Sequence, residues 1–240
     1  MTSALEAAVG SLDLASDVRT RLTRYLALLL EHNASVNLTG ARDAAAVLEH
    51  VRDSLTIAPH IREPLIDVGS GGGFPGIPLA IVLGIPVTLV EATNKKAQFL
   101  EMVARELDLH ITVVADRAET AAHDPELRER FGSATARGIA SAPAVMELTL
   151  PFLAIGGVAV LQRGQVDYAE LTAAQDAALA LGGGLLDEHG QGNRRVLIVA
   201  KRRTTPAAFP RRAGVPERRP LGWPRGTLNG NGASPAPIDA

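Results

Sequence analysis

The 240-residue chain is 46% hydrophobic, carries a formal net charge of −2 and contains no cysteine. That length supports one globular core with appendages, and the missing sulfur excludes disulfides, thiolate metal sites and cysteine nucleophiles together. No apolar run approaches the about 20 residues of a bilayer span, and Met1 to Gly10 lacks a basic start followed by an apolar stretch, so a soluble, cytoplasmic protein without membrane or metal site is expected.

Residues 4 to 32 place Leu12, Leu14, Val18, Leu22, Leu26 and Leu29 at helical spacing, which predicts one or two amphipathic helices. Asn37-Leu38-Thr39-Gly40 breaks that pattern, and a further helix is predicted from Asp43, its cap, to Ile57, ahead of Pro59. Residues 1–60 thus read as a helical cap. From Pro64 onward, short apolar runs at Leu65 to Val68, Val87 to Val90, Ile111 to Ala115, Ala134 to Arg137 and Val158 to Leu161 alternate with helical stretches. Those stretches are Pro75 to Leu83, Asn94 to Leu107, Glu119 to Arg130, Ala142 to Phe152 and Val166 to Leu181. Alternation of this kind predicts an α/β fold, a doubly wound parallel sheet with crossover helices. Gly184 to His189 and Arg195 to Lys201, joined by Gly190-Gln191-Gly192-Asn193, read as an antiparallel hairpin. The expectation over residues 61–201 is therefore a mostly parallel seven-stranded sheet.

Lys201 to Arg225 holds eight basic residues against the single acid Glu217, seven net positive charges on a body of net charge −9. Residues 202–222 form a basic C-terminal arm in this reading, and residues 223–240, rich in Gly, Asn, Pro and Ser, a disordered tail. A basic arm on an acidic body fits a polyanionic partner such as nucleic acid; a solubilising segment is the alternative.

Leu65-Ile66-Asp67-Val68-Gly69-Ser70-Gly71-Gly72-Gly73-Phe74-Pro75-Gly76 is a strand, a glycine-rich turn and a helix start. Gly71, Gly73 and Gly76 fit the G-x-G-x-x-G of dinucleotide sites, whereas Asp67, Gly69, Gly71 and Gly73 fit the D-x-G-x-G-x-G of nucleoside methyl donors. Asp67 favours the second template, because a carboxylate beneath the turn repels a pyrophosphate and suits a ligand carrying an ammonium and a sulfonium. A tight turn without ligand is the remaining alternative. Glu91 follows the second strand at about the twenty-residue offset where an acid takes ribose hydroxyls, under either template. Asp116 and Glu119, after the third strand, are placed to hold an adenine edge or else to cap a helix.

The acceptor is narrowed by chemistry. Pyrimidine C5 attack commonly uses a cysteine, which is absent, and the Asn/Asp-Pro-Pro-aromatic loop of amine methylation is replaced after the fourth strand by Ala136-Arg137-Gly138-Ile139. A ring nitrogen such as guanine N7 already presents a lone pair, so positioning suffices and no general base is needed. Arg137 can hydrogen-bond guanine O6 or a cofactor carboxylate, or form a structural ion pair with Asp67 or Glu119.

These residues together resemble the bacterial 16S ribosomal RNA guanine-N7 methyltransferases, also called the glucose-inhibited division protein B family, over residues 20 to 222. The resemblance is carried by Asn37-Leu38-Thr39, by His50 with Asp53-Ser54-Leu55, and by the glycine turn through Phe74-Pro75-Gly76. It continues in Lys95-Lys96 with Phe99-Leu100, Arg117-Ala118-Glu119 and Pro210-Arg211-Arg212-Ala213-Gly214. It implies a class I, Rossmann-like methyltransferase binding S-adenosylmethionine at Gly69, Phe74, Glu91, Ala92, Thr93, Ala118, Glu119 and Arg137, with His50 and Asp53 near the mouth of that site. It also implies 16S rRNA or the small ribosomal subunit as partner, with Arg211 and Arg212 binding RNA or closing the site. The chain departs from the family at Ala136, Gly138 and Ile139, where Ser-Arg-Ala-Phe is usual, and at Gln162-Arg163-Gly164, where a lysine-glycine is usual; Arg163 is expected to replace that lysine as an RNA contact. With eight aromatic residues in the chain, recognition of folded RNA is expected over stacking of single strands. A monomer is the default. The competing readings are a nicotinamide-dependent oxidoreductase, from Gly71, Gly73, Gly76 and Glu91, and an RNA-binding protein that holds S-adenosylmethionine without turnover.

Overall fold

The computed structural model describes residues 2–191 and 194–223. Two helices open the chain, α1 (Thr2–Gly10) and α2 (Ser16–Val36). Leu22, Leu26 and Leu29 recur at the spacing that buries one face of α2. The helix stops at Asn37, whose left-handed backbone (φ 56°) returns its N–H to the Asn33 carbonyl. Helix α3 (Ala44–Leu55) starts under the predicted cap, the Asp43 carboxylate accepting from the Ala46 N–H.

Strands β1 (Leu65–Val68), β2 (Val87–Val90), β3 (Ile111–Val114), β4 (Phe131–Arg137) and β5 (Leu153–Arg163) are parallel. Strands β6 (Gly183–Gln191) and β7 (Arg194–Lys201) add the antiparallel pair, in the order β3-β2-β1-β4-β5-β7-β6. All four residues of β1 are buried because both faces are covered. Leu65 packs with α1 to α3 and with α4 (Gly76–Leu83) and α5 (Asn94–Glu106), while Ile66 and Val68 pack with α7 (Ala142–Thr149) and α8 (Tyr168–Ala180) on the other face. The chain order reverses between β1 and β4, where such sheets open a crevice at their carboxyl ends. No helix among the described residues is long and apolar enough to cross a membrane.

Several expectations are corrected. The helix predicted over Glu119 to Arg130 is only α6 (Ala118–Ala121), followed by turns. Pro125 disfavours helical backbone at Asp124, and the Asp124 side chain instead accepts from the Glu126 N–H. Strands β4 and β5 start earlier than predicted, since Phe131 pairs with Leu153 ahead of an irregularity, beyond which the ladder resumes at Ser133 and Val158. Residues 192–193 of the hairpin turn and residues 224–240 of the expected tail lie outside the described residues.

The basic arm is not a free appendage. Lys201 is fully buried, donating to the Leu150 carbonyl at 2.7 Å and to Thr205 Oγ1, with Glu129 at 3.6 Å. Burial pulls its pKa down to about 8 against the pull of Glu129. Beyond it the chain is tied back to the body: the Arg128 guanidinium donates to the carbonyls of Thr205 and Phe209, both at 2.9 Å. Arg211 closes on Glu147 of α7, a carboxylate with no solvent exposure, through its backbone N–H (2.7 Å), Nε (2.9 Å) and Nη2 (2.5 Å). Arg211 Nη2 also donates to the Arg219 carbonyl in the segment that ends α9 (Val215–Arg218).

A buried carboxylate stripped of its partner is costly. Arg211→Ala is therefore expected to lower the unfolding free energy by about 3 kcal/mol in urea titration, whereas Arg212→Ala, at an exposed position, leaves the midpoint unchanged.

Candidate functional site

The glycine turn leaves β1 and enters α4, and its geometry is dictated from several sides. Gly69 adopts φ +71°, and a Cβ there would meet Ile139 Cγ2 at 2.5 Å, so both the backbone angle and the close approach demand glycine. Gly76 lies against β2 and β1, with a Cβ position 2.5 Å from Leu89 Cδ2 and 2.8 Å from Asp67 Oδ2.

Asp67 does not face a ligand. It is fully buried, its Oδ2 accepting from the Gly76 N–H (3.2 Å) and its Oδ1 from Thr135 Oγ1 (3.1 Å). Burial raises its pKa from 3.8 to about 6, against those hydrogen bonds and the positive charge of Arg137. Asp67 thus fastens the turn to α4 and β4, and the argument from direct repulsion of a pyrophosphate is corrected to one of loop construction. The N–H groups of Gly69 and Ser70 bond the Val90 carbonyl, that of Gly71 bonds Glu91 Oε2 (2.9 Å), that of Gly73 bonds the Ser70 carbonyl, and that of Gly76 bonds Asp67. Five of the turn's N–H groups are thus engaged within the protein, which leaves fewer donors than a phosphate-cradling loop presents.

Residues that the sequence reading passed over hold the turn from outside. Tyr25 of α2, fully buried, donates its hydroxyl to the Gly72 carbonyl at 2.8 Å, and burial pushes its pKa well up. Asn33 accepts from the N–H groups of Leu38 (2.8 Å) and Thr39 (2.9 Å) and donates to the carbonyls of Thr39 and Ala41. It thereby sets Leu38 against the turn, and its signal in the sequence was a polar side chain on an otherwise apolar helix face.

A cleft of about 420 Å³ opens above β1 and β2, lined on one side by Gly69, Gly71, Glu91 and Ala92 and on the other by Asp116, Ala118, Glu119 and Arg137. Glu91 bonds the Gly71 and Thr93 N–H groups through separate oxygens, each keeping a second lone pair. Glu119 is 6% exposed. Burial works to raise its pKa, but the Gly214 N–H, its own backbone and Arg117 outweigh this and hold it below the usual range. Glu217 of the arm also reaches the cleft. Phe74 and Thr93 do not line it. Phe74 is buried, with Tyr25 at 5.5 Å and His50 at 5.3 Å between ring centroids and the Arg137 guanidinium 5.0 Å above its own.

A second cavity of about 730 Å³ adjoins the first across Arg137 to Ala140, residues common to both. Glu49, His50 and Asp53 of α3 form one wall and Gln162, Arg163 and Arg194 another. Arg137 pairs with Asp53 at 3.3 Å, rather than with Asp67 or Glu119. Burial and Arg137 lower the His50 pKa, against Asp53, which keeps the imidazole neutral at neutral pH. Arg163 turns inward, bonding the Ala140 carbonyl and Glu170 Oε1. Arg211 is engaged with Glu147 as described above, and Arg212 is exposed.

The family model described as rRNA small subunit methyltransferase G matches residues 19–196. The protein of Deinococcus deserti named ribosomal RNA small subunit methyltransferase G is 39% identical over 230 residues, 89% of this chain and 94% of that one. The protein of the same name from Rubrobacter xylanophilus is 41% identical over 86% of this chain and 85% of its own length. Among solved structures, the O-methyltransferase of Bacillus cereus in complex with SAH superposes with a TM-score of 0.52 at 21% identity, covering 74% of this chain and 91% of that chain. A branched-chain polyamine synthase variant from Thermus thermophilus superposes with a TM-score of 0.59 at 14% identity, covering 79% and 65%. These two structural likenesses speak to the fold alone.

The Asp67 geometry has a measurable consequence. The folded state keeps the Asp67 proton up to about pH 6, whereas the unfolded chain releases it near 3.8. The native state therefore binds the extra proton in that window, and this group's stabilising contribution is lost as pH rises through 6. Asp67→Asn retains an acceptor for Gly76 and a donor for Thr135 but cannot ionise. Thermal melts from pH 4 to 8 are expected to show the variant gaining on the native protein across this window, by on the order of 2 kcal/mol at neutral pH.

Proposed function

The chain belongs to the rRNA small subunit methyltransferase G family, and from that premise we propose that it transfers the methyl group of S-adenosylmethionine to N7 of a guanosine in 16S rRNA. The observation that carries this reading is the pair of adjoining cavities that meet at Arg137: one suits the methyl donor, the other the base. The donor cleft fits on its own chemistry. Five N–H groups of its turn are engaged within the protein, and the carboxylates of Glu91, Asp116, Glu119 and Glu217 outnumber the cations Lys96, Arg117 and Arg137 in its lining, which suits a ligand bearing ribose hydroxyls and positive charge. When bound, the cofactor supplies a methyl group activated by a sulfonium.

The remaining work falls to the protein. We assign Gly69 and Ala92 to close backbone contact with the donor, Glu91 to its ribose hydroxyls, and Ala118 and Glu119 to its adenine. Thr93 acts through the Glu91 carboxylate that its N–H holds, and Phe74 acts from beneath Arg137. Arg137, set by Phe74 below and Asp53 beside it, donates to guanine O6 and leaves the neighbouring N7 lone pair facing the donor cleft. Attack by that lone pair releases no proton, so no side chain need act as base. The product purine is cationic. In the acceptor wall the neutral His50 adds no positive charge, and Asp53 and Glu49 offset Arg137 and Arg194, with which they pair, so part of the cationic field that would oppose the product is cancelled.

Of the arginines expected to contact RNA, we retain Arg212 in that role and give Arg211 and Arg163 the task of shaping the surface through Glu147, Ala140 and Glu170. The enzyme acts as a monomer in the cytoplasm, on 16S rRNA free or within the small subunit. Two expected outcomes test the reading. Nucleoside mass spectrometry of 16S digests shows one 7-methylguanosine lost when the gene is deleted and restored on complementation; an unchanged digest overturns the assignment. With purified protein and tritiated donor, Arg137→Ala lowers kcat by about 100-fold while donor affinity changes much less.

A further inference from the structure

Among the described residues, three buried side-chain polar atoms have no hydrogen-bond partner: Ser141 Oγ, Gln162 Oε1 and Arg163 Nε. All three lie where β4 and β5 end, in or beside the wall of the acceptor cavity. Unmet polar atoms in a folded interior are uncommon and call for a reason, and their concentration at one cavity points to a ligand that completes them.

Gln162 is the most defined of the three. It lines the acceptor cavity and is only 4% exposed. Its Nε2 donates to the Asp53 carbonyl at 2.6 Å. A peptide carbonyl can only accept, so the amide orientation is settled by chemistry and the oxygen is the atom left unmet. In the sheet register Gln162 stands opposite Arg137. The two side chains therefore rise from the same face at the interstrand spacing of about 4.8 Å; the Gln162 oxygen itself has almost no solvent exposure, so a base reaches it only as the cavity wall shifts.

We infer that Gln162 is a specificity-determining residue, its side-chain oxygen accepting from the exocyclic N2 amine of the guanine while Arg137 donates to O6. The inference rests on the guanine-N7 reading above. The order of the groups matches the order of the cavities. Arg137 borders both cavities and Gln162 only the acceptor one, just as O6 stands at the corner between N7 and the Watson–Crick edge, at whose far end the N2 amine lies. Adenine offers a donor in place of O6 and nothing in place of the N2 amine, so it leaves both protein groups unsatisfied. The adjoining Gly138, with open space where a Cβ would stand, gives this wall room to adjust as the amine arrives.

The test uses RNA ligated to carry either guanosine or inosine, which lacks only the N2 amine, at the nucleotide identified by mass spectrometry. With the native protein, inosine is expected to lower kcat/KM by about 10- to 100-fold. Gln162→Met is expected to lower the guanosine value by a comparable factor, to bring guanosine and inosine within about threefold of each other, and to leave donor affinity by calorimetry unchanged. A native enzyme that uses inosine as well as guanosine overturns the inference whether or not the variant folds. So does a variant that keeps the native preference, which would make Gln162 a brace for α3 through Asp53. Transfer to neither RNA by the native protein overturns the underlying guanine-N7 reading as well, and so is distinguishable from failure of the Gln162 role alone.

Discussion

A single sealed carboxylate holds the site in register. Asp67 sits under the glycine turn with no exposure, tying the first residue of α4 to the end of β1 and reaching across to Thr135 of β4. Those parallel strands flank the point where the order of strands along the chain reverses, so the same contact joins the two halves of the fold. Burying the group costs enough to lift its pKa to about 6, and the surrounding donors offset part of that cost. The turn it organises then engages five of its N–H groups with Val90, Glu91, Ser70 and Asp67, and presents glycines to the cleft.

The helices outside the sheet divide the remaining tasks. Helix α2 supports the donor cleft from below, Tyr25 bonding the turn and Asn33 setting the Leu38 loop against it. Helix α3 supplies the acceptor wall with His50 and Asp53. The C-terminal arm closes the opposite side, where the Gly214 N–H meets Glu119 and Arg211 meets Glu147. The contacts of Tyr25, Gly214 and Arg211 join segments distant in the chain, so cleft shape depends on the whole fold being assembled.

Arginine shows why residue type alone leaves roles open. Arg137, Arg163 and Arg211 all carry forks suited to RNA or base contact, and each is claimed first by a protein acceptor: Asp53, Ala140 with Glu170, and Glu147. Only Arg137 does so at the border of two cavities, above an aromatic ring that fixes its plane. Lys201, counted with the basic arm on charge grounds, is an interior residue at the end of β7. Net charge of a segment is a sum over side chains, and it contains no information on which of them face inward.

The doubly wound sheet, the hairpin, the α3 cap at Asp43 and the glycine turn were legible because they are written in local periodicity and in residue types with few conformational options. The helix over Glu119 to Arg130 was read too long because the break at Pro125 was passed over, and the orientation of Asp67 was misread because its neighbours come from β4 and α4. The amino-acid sequence by itself determined the sheet, the glycine turn between β1 and α4 and the absence of a sulfur nucleophile. Tertiary packing alone decided that Asp67 braces the turn, that two cavities share Arg137, and that Gln162 stands beside it with an unmet oxygen. Backbone preference and hydrophobic spacing act within about one helical turn or one strand, whereas a hydrogen-bond partner is chosen by segments that meet only once the chain has folded.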